Sequence, residues 1–90
     1  MSIEEIAVML EACNASGSRN DIGFRASKRI GSDFRVILAA TDRLLKLDYL
    51  RTDGRSRDIE ATPRGRQGLR EATAVLENLV RDSNLLRYQT

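Results

Sequence analysis

The chain of 90 residues has no histidine and no tryptophan, and only one cysteine and one proline. Without histidine it has neither imidazole acid–base chemistry nor the usual zinc ligand sets. The lone Cys13 excludes an internal disulfide and is typical of a reducing compartment. The glycines form no phosphate-binding loop pattern. We therefore expect no enzyme, no metal site and no cofactor.

Long apolar runs are also missing. No segment approaches the roughly 18 apolar residues that a membrane span needs, and the N-terminus lacks the layout of a signal peptide. We expect a cytoplasmic protein with no membrane partner. Only Phe24, Phe34, Tyr49 and Tyr88 are aromatic, which leaves little for stacking single-stranded bases, and we predict no small-molecule substrate.

Positive charge is concentrated in the middle of the chain. The net charge is +2, and 13 of the 15 cationic residues are arginines. Residues 1–18 carry three acids and no base, residues 19–70 carry thirteen bases and seven acids, and residues 71–90 carry two bases and three acids. Arginine binds phosphate and guanine edges through a planar fork, so residues 19–70 are the candidate anion-binding region.

Hydrophobic spacing predicts three helices in the first half of the chain. Ser2 and Glu5 have capping-box spacing, and an apolar stripe through Ile3, Ile6, Ala7, Leu10 and Cys13 predicts a first helix to about Asn14, with Cys13 as a small buried hydrophobe. A short second helix is expected from Arg19 or Asn20 to about Ser27, with Phe24 anchoring one end. Residues 28–31 would form the turn, and Ser32 would cap the third helix.

The third helix and the residues after it organise the chain. Apolar residues from Phe34 to Leu45 recur at helical spacing, and the opposite face carries Arg35, Ala39, Asp42, Arg43 and Lys46. Asp48 stands where a left-handed residue often follows such a helix. An extended run from Tyr49, a tight turn with positive φ at Asp53-Gly54 and a strand-period segment from Arg57 to Thr62 predict a hairpin.

The last segment predicts a long helix. Thr62-Pro63 is typical of a cap and a first helical residue, and Gly65 and Gly68 should weaken the first turn. A heptad seam follows, which predicts a dimerisation helix over residues 66–90 after a folded unit over residues 1–65; the alternative is that the helix packs on its own first helix. The seam residues are Leu69, Ala72, Leu76, Leu79, Ser83 and Leu86.

The stretch LLKLDYLRTDGRSRDIEATPRGRQGL, from Leu44 to Leu69, resembles the wing region of MarR-type regulators. In length and element order, nearly the whole chain resembles small archaeal-type winged-helix proteins that dimerise through a C-terminal antiparallel coiled coil. The resemblance implies a mainly α (α+β) fold, a winged helix-turn-helix with a two-stranded wing and a long C-terminal helix. MarR proteins carry further helices at both ends for which this chain has little room.

In such a fold the third helix lies in the major groove of DNA, with its N-terminal residues at the base edges. Arg35 would then contact bases with Ala39 beside it, and the wing arginines would reach the minor groove. The other candidates would contact phosphates. The full candidate set is Arg19, Asn20, Lys28, Arg29, Ser32, Arg35, Ala39, Arg43, Arg55 and Arg57.

We expect a homodimeric, sequence-specific regulator of transcription that binds double-stranded DNA. Two alternatives remain open. A protein-interaction module is favoured by the modest net charge and by Asp33 and Asp42 on the third helix. A non-specific architectural DNA protein is suggested by the coiled-coil resemblance.

Overall fold

A computed structural model describes residues 1–82 of the chain, which form four helices and a two-stranded sheet. The elements are α1 (Ile3–Asn14), α2 (Arg19–Ile30), α3 (Phe34–Lys46), β1 (Leu50–Thr52), β2 (Ile59–Ala61) and α4 (Pro63–Asp82). The element order is the predicted one. α4 crosses the predicted boundary at residues 65 and 66 without a break, and the seam residues Ser83 and Leu86 lie outside the described part.

Helix α1 is the central element of the core. The predicted capping box is present, since the Ser2 hydroxyl accepts from the Glu5 amide and the Glu5 carboxylate accepts from the Ser2 amide. The predicted apolar stripe was only partly right: Ile3 is exposed, whereas Val8 and Met9 are fully buried. A helix contacted by α2, α3, α4 and β2 is covered on several sides, so its burial exceeds one stripe.

Helix α2 is longer than predicted. It continues through Lys28 and Arg29 to Ile30, and Gly31 ends it in the left-handed conformation with a φ of 67°. Glycine adopts that conformation without steric cost, which places the helix end at Gly31 rather than at Ser27. Phe24, predicted to anchor one end of the helix, is 54% exposed.

Helix α3 begins one residue later than predicted. Its N-cap is Asp33, whose carboxylate accepts from the Arg35 amide at 2.7 Å, and not Ser32. Ser32 is instead bonded to Ser27 through its own amide and carbonyl, inside the turn between the helices. The inward face is as predicted, with a fully buried row of Ile37, Thr41 and Leu44.

The hairpin pairs β1 with β2 in antiparallel register, with Leu50 opposite Ala61 and Thr52 opposite Ile59. The prediction of a tight turn with positive φ at Asp53-Gly54 was wrong. The turn spans more residues, with Arg57 donating its amide to the Asp53 carbonyl, and the left-handed residue is Arg57 at a φ of 62°. The predicted left-handed Asp48 is confirmed, with a φ of 61°.

Helix α4 starts against the core, with Thr62 and Gly65 buried. Thr62 is its cap as predicted, because the Thr62 hydroxyl accepts from the Gly65 amide at 2.9 Å while donating to the Asp48 carbonyl. The Thr62 amide donates to the Tyr49 carbonyl, so the cap also joins α4 to the turn after α3. Farther along, α4 carries exposed apolar residues over about two turns: Val75, Leu76, Leu79 and Val80.

Candidate nucleic-acid interface

The outer face of α3 carries a basic surface within residues 19–70. Arg35, Ala39, Arg43 and Lys46 are all exposed, at steps of four, four and three residues. Such steps align side chains along one side of a helix, so these four form a continuous stripe. The Arg35 side chain is 89% exposed, which makes it the most accessible cation among those in ion pairs.

The two carboxylates on α3 are engaged within the protein. Asp33 caps the helix, and its hydrogen bond from the Arg35 amide lowers the pKa of its carboxyl. Asp42 accepts two hydrogen bonds from the Arg19 guanidinium, at 2.8 Å from Nε and at 2.7 Å from the terminal nitrogen. This pairing lowers the pKa of Asp42 and raises that of Arg19. Both carboxylates therefore have a cationic or amide partner within the chain, although each side chain is about half exposed.

Three of the predicted DNA-contacting arginines are in ion pairs with acidic residues of another helix, and a fourth, Arg35, lies 3.5 Å from Asp33 at the start of its own helix. Arg19 holds Asp42, Arg29 donates to Glu11 at 2.8 Å, and Arg43 lies 3.8 Å from Glu5. A guanidinium has five donors, so each arginine keeps further hydrogen-bonding capacity toward solvent. Each of the three ion pairs nevertheless joins two different helices, a structural role that the sequence pattern did not indicate.

The other predicted residues form no ion pair with another helix in the described part of the chain. In residues 1–82, Lys28, Arg55 and Arg57 form no ion pair. The Lys28 amine stacks over the Phe24 ring at 4.6 Å from its centroid, on the last turn of α2 rather than in a loop. Asn20 is exposed on the first turn of α2, and Ser32 is half-buried.

The turn between β1 and β2, which is the tip of the wing, presents Arg55 and Arg57. The Asp53 carboxylate accepts from the amides of Arg55 and Ser56, and these bonds lower the pKa of Asp53. The Asp53 amide in turn donates to the Asp58 carbonyl at 2.8 Å, which closes the base of the turn. The sequence had suggested Asp53 as a turn former, and the structure shows it as the residue that organises the whole tip.

Glu11 is an acidic partner of the α2 arginines that the sequence did not predict. It is 7% exposed on α1, and its carboxylate contacts Arg29 at 2.8 Å and Arg25 at 3.5 Å, both on α2. The Nε of Arg25 is buried and has no hydrogen-bond partner in the described structure, so this carboxylate is its main electrostatic compensation. Glu11 therefore fixes the helix that carries several candidate phosphate contacts.

Replacing Glu11 with alanine should lower the free energy of unfolding by about 2 kcal/mol. Breaking a buried ion pair costs about 3–5 kcal/mol, and solvent screening of the two half-exposed arginines reduces that figure. Glu11→Gln keeps the shape and one acceptor oxygen and should lose less. Urea denaturation of both variants measures the difference; equal stability of Glu11→Ala and the parent chain would contradict the role assigned to this carboxylate.

Other classes of site find less support in the described residues. Within residues 1–82 no three acidic, cysteine or histidine side chains converge in a way that could hold a metal ion, and no helix is long and apolar enough to cross a membrane. An open cavity of about 340 Å³ lies between α1, the turn after α3 and α4, lined in part by Met1, Leu47, Tyr49 and Val75. Its wall continues into the exposed apolar face of α4.

Comparison with known proteins gives one informative match. No protein-family model and no curated protein sequence matches the chain. Among solved structures, the transcriptional regulator BldR from Sulfolobus solfataricus superposes with a TM-score of 0.73 at 27% sequence identity. The match covers 100% of this chain and 63% of that one, so the chain spans somewhat under two thirds of the length of BldR. Together with three helices, an antiparallel wing and a long following helix, this match shows that the chain has a winged helix-turn-helix fold.

Proposed function

We propose that this protein is a sequence-specific double-stranded DNA-binding regulator of transcription that acts as a homodimer. The observation that carries the proposal is the basic stripe on α3, with Arg35 exposed at its N-terminal end. In helix-turn-helix proteins the recognition helix enters the major groove with its N-terminal residues at the base edges. The similarity to a solved transcriptional regulator supports a role in regulation of transcription.

The remaining cations fit contacts to the DNA backbone around that helix. Lys28 and Arg29 lie on the last turn of α2, which leads into the turn before α3, and Arg55 and Arg57 lie on the wing. Phosphate contacts of this kind fix the register of a protein on the duplex, whereas base contacts give specificity. The wing arginines would lie near the adjacent minor groove, where narrow A·T tracts attract arginine.

The homodimer is proposed from the exposed face of α4. Val75 is 65% exposed, Leu79 is 67% exposed and Val80 is 54% exposed, on a helix whose first half packs on the core. Leu69 and Ala72 of the predicted seam are half-buried against their own chain, so the alternative of packing on α1 holds for the start of the helix. A second copy would cover Leu76 and Leu79 of the seam together with the neighbouring Val75 and Val80.

Arg35→Ala should weaken binding to a selected DNA site by about tenfold or more, because a bidentate contact to guanine contributes about 1–3 kcal/mol of discrimination. The site is first selected from random duplex by mobility shift at two salt concentrations and sequencing, and the variant is then titrated against it. Arg70→Ala removes the same charge from exposed α4 and is the matched control, with binding close to that of the parent chain.

Unchanged binding in Arg35→Ala would contradict the proposed placement of α3 in the groove. If no duplex is retained even at low salt, the DNA-binding function itself is wrong. That outcome would favour the protein-interaction module, which the internal neutralisation of Arg19, Arg29 and Arg43 also favours. Equal retention of all duplexes would favour the architectural alternative.

A further inference from the structure

Few kinds of side chain are exposed on the N-terminal half of α3. Arg35, Val36 and Ala39 are exposed there, and Val36 has 48% of its surface accessible. The one side chain of α3 with a neutral hydrogen-bonding group is Thr41, which is fully buried and donates to the Ile37 carbonyl. The exposed half therefore offers one guanidinium and two apolar side chains to the groove.

These exposed side chains limit which bases the helix can recognise. Asparagine and glutamine read adenine by paired hydrogen bonds, and α3 contains neither residue. Carboxylates can accept from cytosine, but Asp42 already accepts two hydrogen bonds from Arg19, and Asp33 is the N-cap, which accepts from the Arg35 amide and lies 3.5 Å from the Arg35 guanidinium. An A·T pair then remains distinguishable in the major groove through the C5-methyl group of thymine, which makes apolar contacts.

We propose that Val36 is a specificity-determining residue that reads the C5-methyl group of a thymine, with Ala39 as a second, smaller methyl contact. The proposal rests on the proposed DNA-binding function and names the chemistry by which the same helix would discriminate bases. Val36 and Arg35 are both at the N-terminal end of α3, so we expect the thymine near the guanine that Arg35 reads.

The spacing of the two apolar residues agrees with this reading. Val36 and Ala39 are three residues apart on one face of α3, where Cβ atoms lie about 5–6 Å apart. Successive base pairs are separated by about 3.4 Å along the duplex. Two methyl contacts one or two base steps apart are therefore within reach, and the preferred half-site combines one guanine with one or two nearby thymines.

The test replaces each thymine of the selected site, one at a time, with deoxyuridine. This change removes the methyl group and leaves base pairing intact. At one or two positions beside the guanine, the dissociation constant of the parent chain should rise about fourfold, as burial of one carbon contributes about 0.8 kcal/mol. Val36→Ala should lower affinity for the thymine site and lose its sensitivity at one of these positions, while Val36→Ile should retain it.

The outcomes separate this inference from the function on which it rests. A selected site whose binding ignores every thymine-to-deoxyuridine change overturns the role of Val36 and leaves DNA binding intact. Undiminished sensitivity in Val36→Ala at every position overturns it as well. Failure to retain any duplex overturns both proposals. Alanine is the better helix former, so Val36→Ala should stay folded, which circular dichroism checks.

Discussion

Replacing Gly65 with alanine should destabilise the protein by about 3 kcal/mol or more, although this residue is in a helix, where alanine is normally favoured. A Cβ atom at this position would overlap the carbonyl oxygen of Tyr49 and lie 2.7 Å from its carbonyl carbon. It would also lie 2.8 Å from the Met9 Cε. The backbone of Tyr49 cannot shift freely, because its carbonyl accepts from the Thr62 amide and its amide donates to Leu44.

Thermal denaturation measures this effect, with a melting temperature expected to fall by about 12 °C or more for a domain of this size. Gly68→Ala is a control on the same helix, because it should not lower the stability of the protein. A Cβ there would meet the flexible end of Met1 at 3.1 Å, and alanine in a helix is favoured by about 0.5–1 kcal/mol, so Gly68→Ala should leave stability unchanged or raise it. Full stability in Gly65→Ala would show that α4 can move away from the turn at Tyr49.

The double substitution of Leu76 and Leu79 with glutamine should convert the proposed dimer to a monomer and weaken binding to a two-fold symmetric DNA site by about a hundredfold or more. Two linked binding units gain about 10²–10⁴ in affinity from their effective concentration, and separate monomers lose that gain. Glutamine is neutral and a good helix former, so the change removes apolar contact without adding charge. Sedimentation velocity and mobility shift provide the two measurements.

Ala74→Gln is the matched control, because Ala74 is exposed on the same helix and lies away from the seam. It should leave both the sedimentation coefficient and the affinity unchanged. The double variant should also keep its melting behaviour as a monomer, since both leucines are substantially exposed in the single chain. A parent chain that sediments as a monomer, or a double variant that remains dimeric, would rule out this face as the interface.

The order and type of the elements could be predicted because local signals agreed with the final fold. The capping box at Ser2, the inward row Ile37, Thr41 and Leu44, and the Thr62-Pro63 helix start depend on residues close in sequence. Each of these patterns has a specific geometric cause, either a cap or a periodicity. All three features are therefore present in the structure as predicted.

The predictions failed where two competing local signals were present. Both Ser32 and Asp33 are good N-cap residues, and the structure uses Asp33 because Ser32 is bonded to Ser27. In the wing, Gly54 led to the prediction of a tight turn with positive φ at Asp53-Gly54. The Asp53 carboxylate instead organises a longer turn, and the residue with positive φ is Arg57. Gly65 was interpreted as a weak point of α4, and its need for close approach to Tyr49 is visible only in three dimensions.

For the candidate interface, the exposed face of α3 followed from its periodicity, but the ion pairs did not. Arg19 and Asp42 are separated by 23 residues and Arg29 and Glu11 by 18, so no local pattern joins them. These pairs decide which charged groups remain available on the surface, and they remove Asp42 as a competing acceptor. The role proposed for Val36 depends on the burial of Thr41 and on the partners of Asp33 and Asp42, which no local sequence pattern indicates.

The unbroken course of α4 has a geometric consequence for any symmetric assembly. One end of this helix is fixed in the core at Gly65, and the exposed face begins about three turns later without an intervening hinge. Each residue of an α-helix advances the chain by about 1.5 Å and rotates it by about 100°. In the proposed dimer, the number of residues between Gly65 and Leu76 would therefore set both the distance and the relative rotation of the two copies of α3.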